Sequence, residues 1–144
     1  MLLTSPEFAY NSRMPVHLTC QGKDVSPVLD IAGVPSDARS LALIVEDPDA
    51  PMGTWDHWIV YNIPPATTHI ASGSVPGTEA WNSFQKLGWG GPCPAGGAHR
   101  YFFKLYALDL QLDLGPKVRK KDVEKAMAGH ILAQAALMGT YQKH

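Results

Sequence analysis

The sequence is poor in cysteine, and this scarcity excludes two kinds of stabilisation. It has only two cysteines, Cys20 and Cys93, in 144 residues, which is too few for the disulfide framework of a small secreted fold. The two are distant in sequence and can pair only if the fold brings them together, so we expect them not to form a disulfide bond. Neither lies in a CxxC motif, so nothing supports a zinc site.

Net charge and long apolar runs are lacking as well. The charge is −1 and the isoelectric point is near 6.6, which gives no indication of binding to nucleic acid or to an acidic membrane surface. No window reaches the roughly 18–20 apolar residues of a membrane span, and the first residues lack the basic and apolar segments of a signal peptide. These absences predict a cytoplasmic protein with no stable membrane insertion.

The basic residues are concentrated in one short run, which consists of Lys117, Arg119, Lys120 and Lys121. We interpret this run as the solvated approach to a helix. Contact with a phosphate backbone is the alternative.

Proline and glycine, in contrast, are abundant, with 12 and 13 residues. This composition favours strands and shaped loops over a helical bundle, because both residues interrupt regular structure. Hydrophobic residues make up 45% of the chain and charged residues 17%, so the chain can bury a core and is not disordered by composition. No repeat or linker divides it, and its length predicts one domain over residues 1–144.

Four segments have the composition of strands: Leu41–Glu46, His57–Ile63, Arg100–Leu108 and the shorter Val16–Cys20. The first is nearly all apolar, as expected of a strand buried on both faces. A helix is predicted from Asp122, a candidate N-cap, to about Gly129. The segment that follows, HILAQAALMGTY, fits either helix or strand, and periodicity does not decide between them.

Five side chains that can bind ligands or exchange protons lie at strand ends: Asp47, Asp49, His57, His99 and Tyr101. If the first two long strands pair antiparallel, Asp47 and Asp49 come close to His57, because the end of one strand then lies beside the start of the next. His99 immediately precedes the third strand, and Tyr101 follows two residues later on the same face. Loops rich in glycine and proline adjoin these positions, and such loops often carry binding groups.

Three kinds of site are compatible with these residues. Two histidines and two carboxylates suit zinc or iron, but no HxH, HxxxH or HExxH motif is present. A hydrolase would use histidine as the base and aspartate to orient it, but there is no GxSxG motif and neither cysteine lies in a nucleophile motif. In an anion site, a carboxylate raises the pKa of its neighbouring histidine, which then donates to a phosphate oxygen. The N–H groups of Gly90–Gly91 and Gly96–Gly97 could support the same anion.

Each of these residues also has a structural explanation. DPDAP is a good turn sequence, since aspartate starts turns and proline fixes φ. A histidine at a strand edge is more often structural than a ligand. Tyr101, on strand periodicity, is mostly expected to pack in the core. The tryptophans Trp55, Trp58, Trp81 and Trp89 can be pocket walls or core packing, and packing is favoured.

Together, these stretches resemble the phosphatidylethanolamine-binding protein family, in its bacterial and archaeal branch that is often described as Raf-kinase-inhibitor-like. DPDAP at Asp47–Pro51 is similar to the first signature of the family and is followed by DHWIVYNIP at Asp56–Pro64. GGPCPAGGAHRYFFKLYALD, from Gly90 to Asp109, is similar to the second signature. VSPVLDIAGVP and GHILAQAALMGTY also fit, so the likeness covers almost the whole chain.

The resemblance implies a mainly β fold, in which a large antiparallel sheet packs on a smaller sheet with few short helices. It also implies that LAQAALMGTY is a strand and that the Ala50–Pro51 peptide bond is cis. In the family, an anion pocket is formed by the positions that match Asp47, Asp49, His57, His99 and Tyr101, with Gly91–Pro92 as a wall.

The function implied is non-catalytic binding of a small phosphate-type anion by a regulatory or inhibitor-like homodimer, with no cofactor and no metal. The alternatives are inhibition of a kinase or serine protease through protein contact, and a His/Asp hydrolase. Asp56 departs from the family, since eukaryotic relatives have a second histidine there; we expect its negative charge near His57 to affect the choice of anion. The longer C-terminal helical segment of eukaryotic relatives has no counterpart in this sequence.

Overall fold

The computed structural model describes residues 1–144 and contains two sheets that enclose a common core. The small sheet has the order β1-β3-β6, formed by Leu2–Thr4, Leu29–Ala32 and His69–Ile70. The large sheet has the order β2-β9-β8-β4-β5-β7, formed by Ser12–Arg13, Ile131–Tyr141, His99–Leu108, Ser40–Asp47, Trp55–Ile63 and Thr78–Glu79. All pairings are antiparallel except that of β2 with β9. The predicted fold class is confirmed.

Strand β4 lies at the centre of the molecule, and every one of its residues is buried. Because side chains alternate along a strand, Leu43 and Val45 enter the core between the two sheets, whereas Ile44 enters a second core on the opposite face. Helix α1, Lys120–Met127, covers that second core with Val123 and Met127. The prediction of a strand buried on both faces is therefore correct.

The other predicted elements are confirmed with shifted ends, except for one. The C-terminal segment forms strand β9, as the family resemblance implied. Helix α1 begins at Lys120, so Asp122 is not the N-cap; its carboxylate accepts the backbone N–H of Arg119 from within the first turn, at 2.9 Å. The predicted strand at Val16–Cys20 is wrong. A short 3₁₀ helix, Val16–Leu18, follows Pro15 there, and the Thr19 hydroxyl closes it on the carbonyl of Val16.

Two further expectations are wrong, and both concern the loops. All peptide bonds are trans, including Ala50–Pro51. In the turn after β4, an Asp47 oxygen accepts the N–H of Asp49, and Gly53 donates to the carbonyl of Ala50. Cys20 and Cys93 form a disulfide bond between exposed positions, with 5.5 Å between their Cα atoms. The fold brings them together because the loop before β8 lies against the segment after the 3₁₀ helix.

No helix of the structure is long and apolar enough to cross a membrane. Disulfide bonds are commonest in proteins of oxidising compartments. The Cys20–Cys93 bond therefore does not follow from the cytoplasmic location that the sequence predicts. That location stays a prediction.

Candidate functional site

The ends of three neighbouring strands of the large sheet meet at one small cavity. Asp47 ends β4, His57 is the third residue of β5, and His99 and Tyr101 lie at the start of β8. They meet because β4 pairs with β5 on one side and with β8 on the other, antiparallel in both cases. The cavity has a volume of about 230 Å³, and its remaining lining residues are Ala50, Pro51, Trp55, Phe84, Cys93, Pro94 and Ala95.

Asp47 and His99 form a buried pair at the base of this cavity. Nδ1 of His99 lies 2.6 Å from Oδ2 of Asp47, and the two residues are 9% and 3% exposed. A carboxylate only accepts hydrogen bonds, so Nδ1 carries the hydrogen, and Nε2 of the ring has no partner within the protein. The second carboxylate oxygen of Asp47 accepts the N–H of Asp49 at 2.7 Å. Asp47 therefore fixes both the histidine ring and the turn that follows β4.

His57 is oriented by the backbone of the loop before β8. Its Nδ1 lies 2.5 Å from the carbonyl oxygen of Gly90, and the Gly90 N–H donates back to the carbonyl of His57 at 3.0 Å. Burial lowers the pKa of His57, against smaller raising contributions from the Gly90 carbonyl and the carboxylate of Asp47. The carboxylate of Asp47 thus raises the pKa of His57 in the predicted direction, but desolvation outweighs this attraction and the net shift is downward.

Tyr101 lies between the two histidines. Its ring meets His57 edge-on at 5.2 Å between centroids and stacks on His99 at 6.5 Å. Burial raises its pKa, and the negative charges of Asp47 and Asp49 add to this effect. The hydroxyl therefore keeps its hydrogen near neutral pH and can donate to a ligand.

Two aromatic residues complete the wall on the β5 side. Trp55 packs edge-on against Phe84, with 5.5 Å between ring centroids, and Phe84 packs edge-on against His57 at 5.3 Å. Sequence reasoning considered Trp55 as either wall or core and missed Phe84. Phe84 lies in a turn outside the named strands, so no strand periodicity could identify it.

Asp49 is close to the cavity but does not line it. Its carboxylate binds Arg100 through the backbone N–H, Nε and Nη2 at 2.9, 2.9 and 2.8 Å. The hydrogen bonds from the Arg100 side chain hold the pKa of Asp49 at about 2, below its ordinary value of 3.8. The predicted role as a direct ligand is not supported by this arrangement; Asp49 instead ties the turn after β4 to the start of β8.

Gly91 and Pro92 also lie behind the wall, whereas Cys93, Pro94 and Ala95 form it. The N–H of Gly91 donates to Oδ1 of Asp24 at 2.7 Å, and the carbonyl of Pro92 accepts the N–H of Cys20 at 3.1 Å. Neither they nor Gly90, Gly96 and Gly97 line the cavity. The N–H groups of Gly90 and Gly91 are used within the protein, by the carbonyl of His57 and by Asp24, whereas a contribution of Gly96 and Gly97 to an anion site stays a prediction.

Asp56 faces away from the cavity, because it precedes His57 on the same strand and adjacent side chains alternate. Lys120 lies 2.7 Å from its carboxylate and 3.1 Å from that of Glu46. The expected influence of Asp56 on the anion is reduced to a small raising effect on the pKa of His57. Lys120 of the basic run is correspondingly largely buried, with 17% of its side chain exposed, and is not a solvated residue.

No group of three His, Cys, Asp or Glu side chains is arranged to hold a metal ion. The site is therefore composed of one Asp–His pair, a second histidine, a tyrosine hydroxyl and a largely apolar wall.

Comparison with known proteins gives consistent matches along the whole chain. The sequence profile of the family described as phosphatidylethanolamine-binding protein matches residues 4–142. A UPF0098 protein of Methanothermobacter thermautotrophicus is 46% identical over 150 residues, covering 99% of both chains. A homologue of the phosphatidylethanolamine-binding protein from Chlamydia trachomatis has a crystal structure with a TM-score of 0.96 and 44% identity, covering 99% of this chain and 97% of the other. Escherichia coli YbcL, a member of the mammalian family by its description, has a TM-score of 0.89 and 28% identity, covering 99% and 98%.

Proposed function

Because the chain belongs to the phosphatidylethanolamine-binding protein family, we propose that its pocket binds a small phosphate-type anion without catalysing a reaction. The observation that carries the proposal is the convergence of His57, His99 and Tyr101 on one cavity of about 230 Å³. Pockets for drug-sized ligands have volumes of roughly 300–1,000 Å³. The cavity therefore suits a group of a few atoms.

The polar groups of the pocket have complementary tasks in this proposal. The Tyr101 hydroxyl donates one hydrogen bond. Nε2 of His99 lies away from the Asp47 contact and has no partner within the protein, so it is the atom of this ring that is available to the ligand. The aromatic walls of Trp55 and Phe84 limit access of water, which strengthens both contacts.

The lining also favours binding over covalent catalysis. It contains no serine or threonine, and the sulfur of Cys93 is held in the disulfide bond. A serine, threonine or cysteine nucleophile is activated by an adjacent base, and no serine, threonine or free cysteine lines the cavity beside the Asp47–His99 pair.

Titration followed by NMR of the histidine rings tests the proposal. We expect phosphate, phosphoethanolamine or a nucleotide to shift the signals of His57 and His99 in a saturable way. Tyr101→Phe should weaken the binding about tenfold, since a hydrogen bond to a charged group contributes roughly 1.5–3 kcal/mol. Tyr106→Phe is the matched control, because Tyr106 lies on the same strand but packs against the second core. Unchanged histidine signals with all three ligands would contradict the proposal.

The alternatives give different outcomes. Turnover of a phosphomonoester that is lost in His99→Ala would indicate a hydrolase that uses the Asp47–His99 pair as its base. Partnership with a kinase or serine protease, and assembly into a homodimer, stay proposals from the family resemblance. Inhibition assays with purified enzymes and a measurement of the molecular mass in solution test them.

A further inference from the structure

The hydrogen of the His57 ring points away from the ligand space. Nδ1 faces the Gly90 carbonyl oxygen at 2.5 Å, and a carbonyl oxygen only accepts hydrogen bonds, so Nδ1 is the donor. In the neutral ring, Nε2 then carries a lone pair and no hydrogen. It has no partner within the protein, so a ligand in the cavity meets an acceptor at this position.

Contacts on both sides hold the ring in this orientation. Phe84 and Tyr101 pack edge-on against it, with centroids at 5.3 and 5.2 Å. Gly90 is itself fixed, because its N–H donates to the carbonyl of His57, and a Cβ at Gly90 would lie 2.4 Å from the Phe84 ring. Rotation of the ring would break the Gly90 contact and leave a buried carbonyl without a donor, which is costly.

A second proton on this ring is disfavoured by its surroundings. His57 is 3% exposed, and burial lowers its pKa below 6.5. The negative charges of Asp47, Asp56 and Asp24, on three different segments, oppose this effect without reversing it. Both oxygens of Asp47 are already engaged, by His99 and by the N–H of Asp49, so this carboxylate does not compete with Nε2 of His57 for a ligand hydrogen.

We propose that the pocket selects oxyanions that retain a hydroxyl group, such as hydrogen phosphate, over oxyanions without one, such as sulfate, because the ligand must donate a hydrogen bond to Nε2 of His57. This inference rests on the proposed anion-binding function and specifies its ligand. Near neutral pH the two ions have the same shape and nearly the same charge, so affinity governed by charge alone would not separate them. Phosphodiesters also lack the hydroxyl, whereas a phosphomonoester retains it only while singly protonated, below a pKa of about 6.

Matched titrations with phosphate and sulfate at constant ionic strength test the inference. At about pH 7.5, where a histidine of lowered pKa is neutral, we expect phosphate to bind at least about tenfold more tightly, since an unpaired acceptor facing the ligand costs roughly 1–3 kcal/mol. Glycerophosphoethanolamine, a diester, should bind as weakly as sulfate. This titration distinguishes a lipid headgroup from free phosphate as the ligand. At a pH below the lowered pKa of His57 the preference over sulfate should shrink, because a protonated His57 ring donates from Nε2.

The tautomer of His57 can be observed directly in the unmodified protein. Long-range proton–nitrogen NMR near pH 7.5 should show the hydrogen on Nδ1 and an unprotonated Nε2. A hydrogen on Nε2 would overturn the inference without any assay of binding.

Two variants separate the acceptor from general damage to the pocket. In His57→Asn the amide can offer N–H as well as C=O, so we expect the ratio of phosphate to sulfate affinity to fall towards one. Tyr101→Phe should weaken both anions and leave the ratio unchanged. Equal affinities for phosphate and sulfate in the unmodified protein would overturn the inference and leave the proposed function standing, whereas no binding of either anion would overturn both.

Discussion

The two sides of the pocket are held in place by different means. One side consists of side chains on β4, β5 and β8, whose backbones are paired along the large sheet. The other side is the loop segment Cys93–Ala95. Residues 94–98 make no backbone–backbone hydrogen bonds, and the loop is attached only up to Cys93, through Gly91, Pro92 and the disulfide bond.

The hydrogen-bonding groups of the site and the wall that sets the size of the cavity are therefore held by different parts of the fold. The groups that donate and accept hydrogen bonds stand on the most deeply buried strands, so their positions depend on the global stability of the fold. The wall depends on a few local attachments, and such segments open at lower free energy than core strands. We therefore expect changes at the loop attachments to alter the size of the cavity before they alter the orientation of His57 or His99.

Removal of the disulfide bond should have the largest effect on stability. The bond joins residues 73 apart in sequence, and closing a loop of that length stabilises a fold by up to about 4 kcal/mol in the chain-entropy account. Urea unfolding of the double variant Cys20→Ser/Cys93→Ser should show a loss of this order relative to the oxidised protein. Added reductant should lower the stability of the unmodified protein and leave that of the double variant unchanged.

The same variant also tests the comparison between the two sides. In its folded state, hydrogen exchange should become faster in residues 93–98 and stay slow in β4, β5 and β8. If exchange accelerated equally on both sides, the strand side would depend on the disulfide bond as much as the loop does, and the distinction would be lost.

Gly91→Ala should have the next largest effect. A Cβ at Gly91 would lie 2.2 Å from the backbone oxygen of Leu18 and 2.4 Å from Oδ1 of Asp24, so one attachment of the loop has to move. Overpacking of this kind costs roughly 1–3 kcal/mol. Gly96→Ala is the matched control in the same loop, because nothing lies within 4 Å of its Cβ and its φ is outside the left-handed region.

Thermal or urea unfolding of the two alanine variants measures the contrast. Gly96→Ala should stay within about 0.5 kcal/mol of the unmodified protein. Equal losses would mean that the loop beyond Cys93 is as tightly packed as the part before it, contrary to the structure.

The strand side of the pocket could be predicted from the sequence, because its signals are local. LALIVE has the composition of a doubly buried strand, and antiparallel pairing of neighbours places Asp47 near His57 without knowledge of the remaining fold. His99 and Tyr101 follow from the two-residue period of β8. The C-terminal strand was ambiguous in its own composition, and the family resemblance decided it correctly.

The loop side could not be predicted, because its contacts join distant segments. Nothing near Cys93 in sequence indicates that residues 18–24 lie behind it. Asp49 is a second example. Residue spacing placed it beside Asp47, but its carboxylate forms an ion pair with Arg100, from a distant segment, and does not line the cavity. Residue spacing predicts which residues lie near each other, and competing partners decide what each one binds.

The smallest expected effect concerns Asp49, at the junction of the two strand ends. Its pKa is about 2 in the folded protein, against 3.8 ordinarily. A lowered carboxylate pKa contributes stability that is present above about pH 4 and is lost as the pH falls towards 2. Because the carboxylate side chain is 29% exposed and that of Arg100 52%, solvent screening limits this contribution to below about 1 kcal/mol.

Urea unfolding of Asp49→Asn and the unmodified protein between about pH 2 and pH 6 measures this contribution. The difference in stability should be present at the higher pH and vanish at the lower, since protonation of Asp49 removes the same charge as the substitution. Asp37→Asn is the control, because Asp37 is exposed and has no ion-pair or hydrogen-bonding partner in the structure. A loss of stability well above about 1 kcal/mol, or one independent of pH, would mean that the contact with Arg100 stabilises the strand ends by more than a screened ion pair. The strand side of the pocket would then depend on a local attachment of its own.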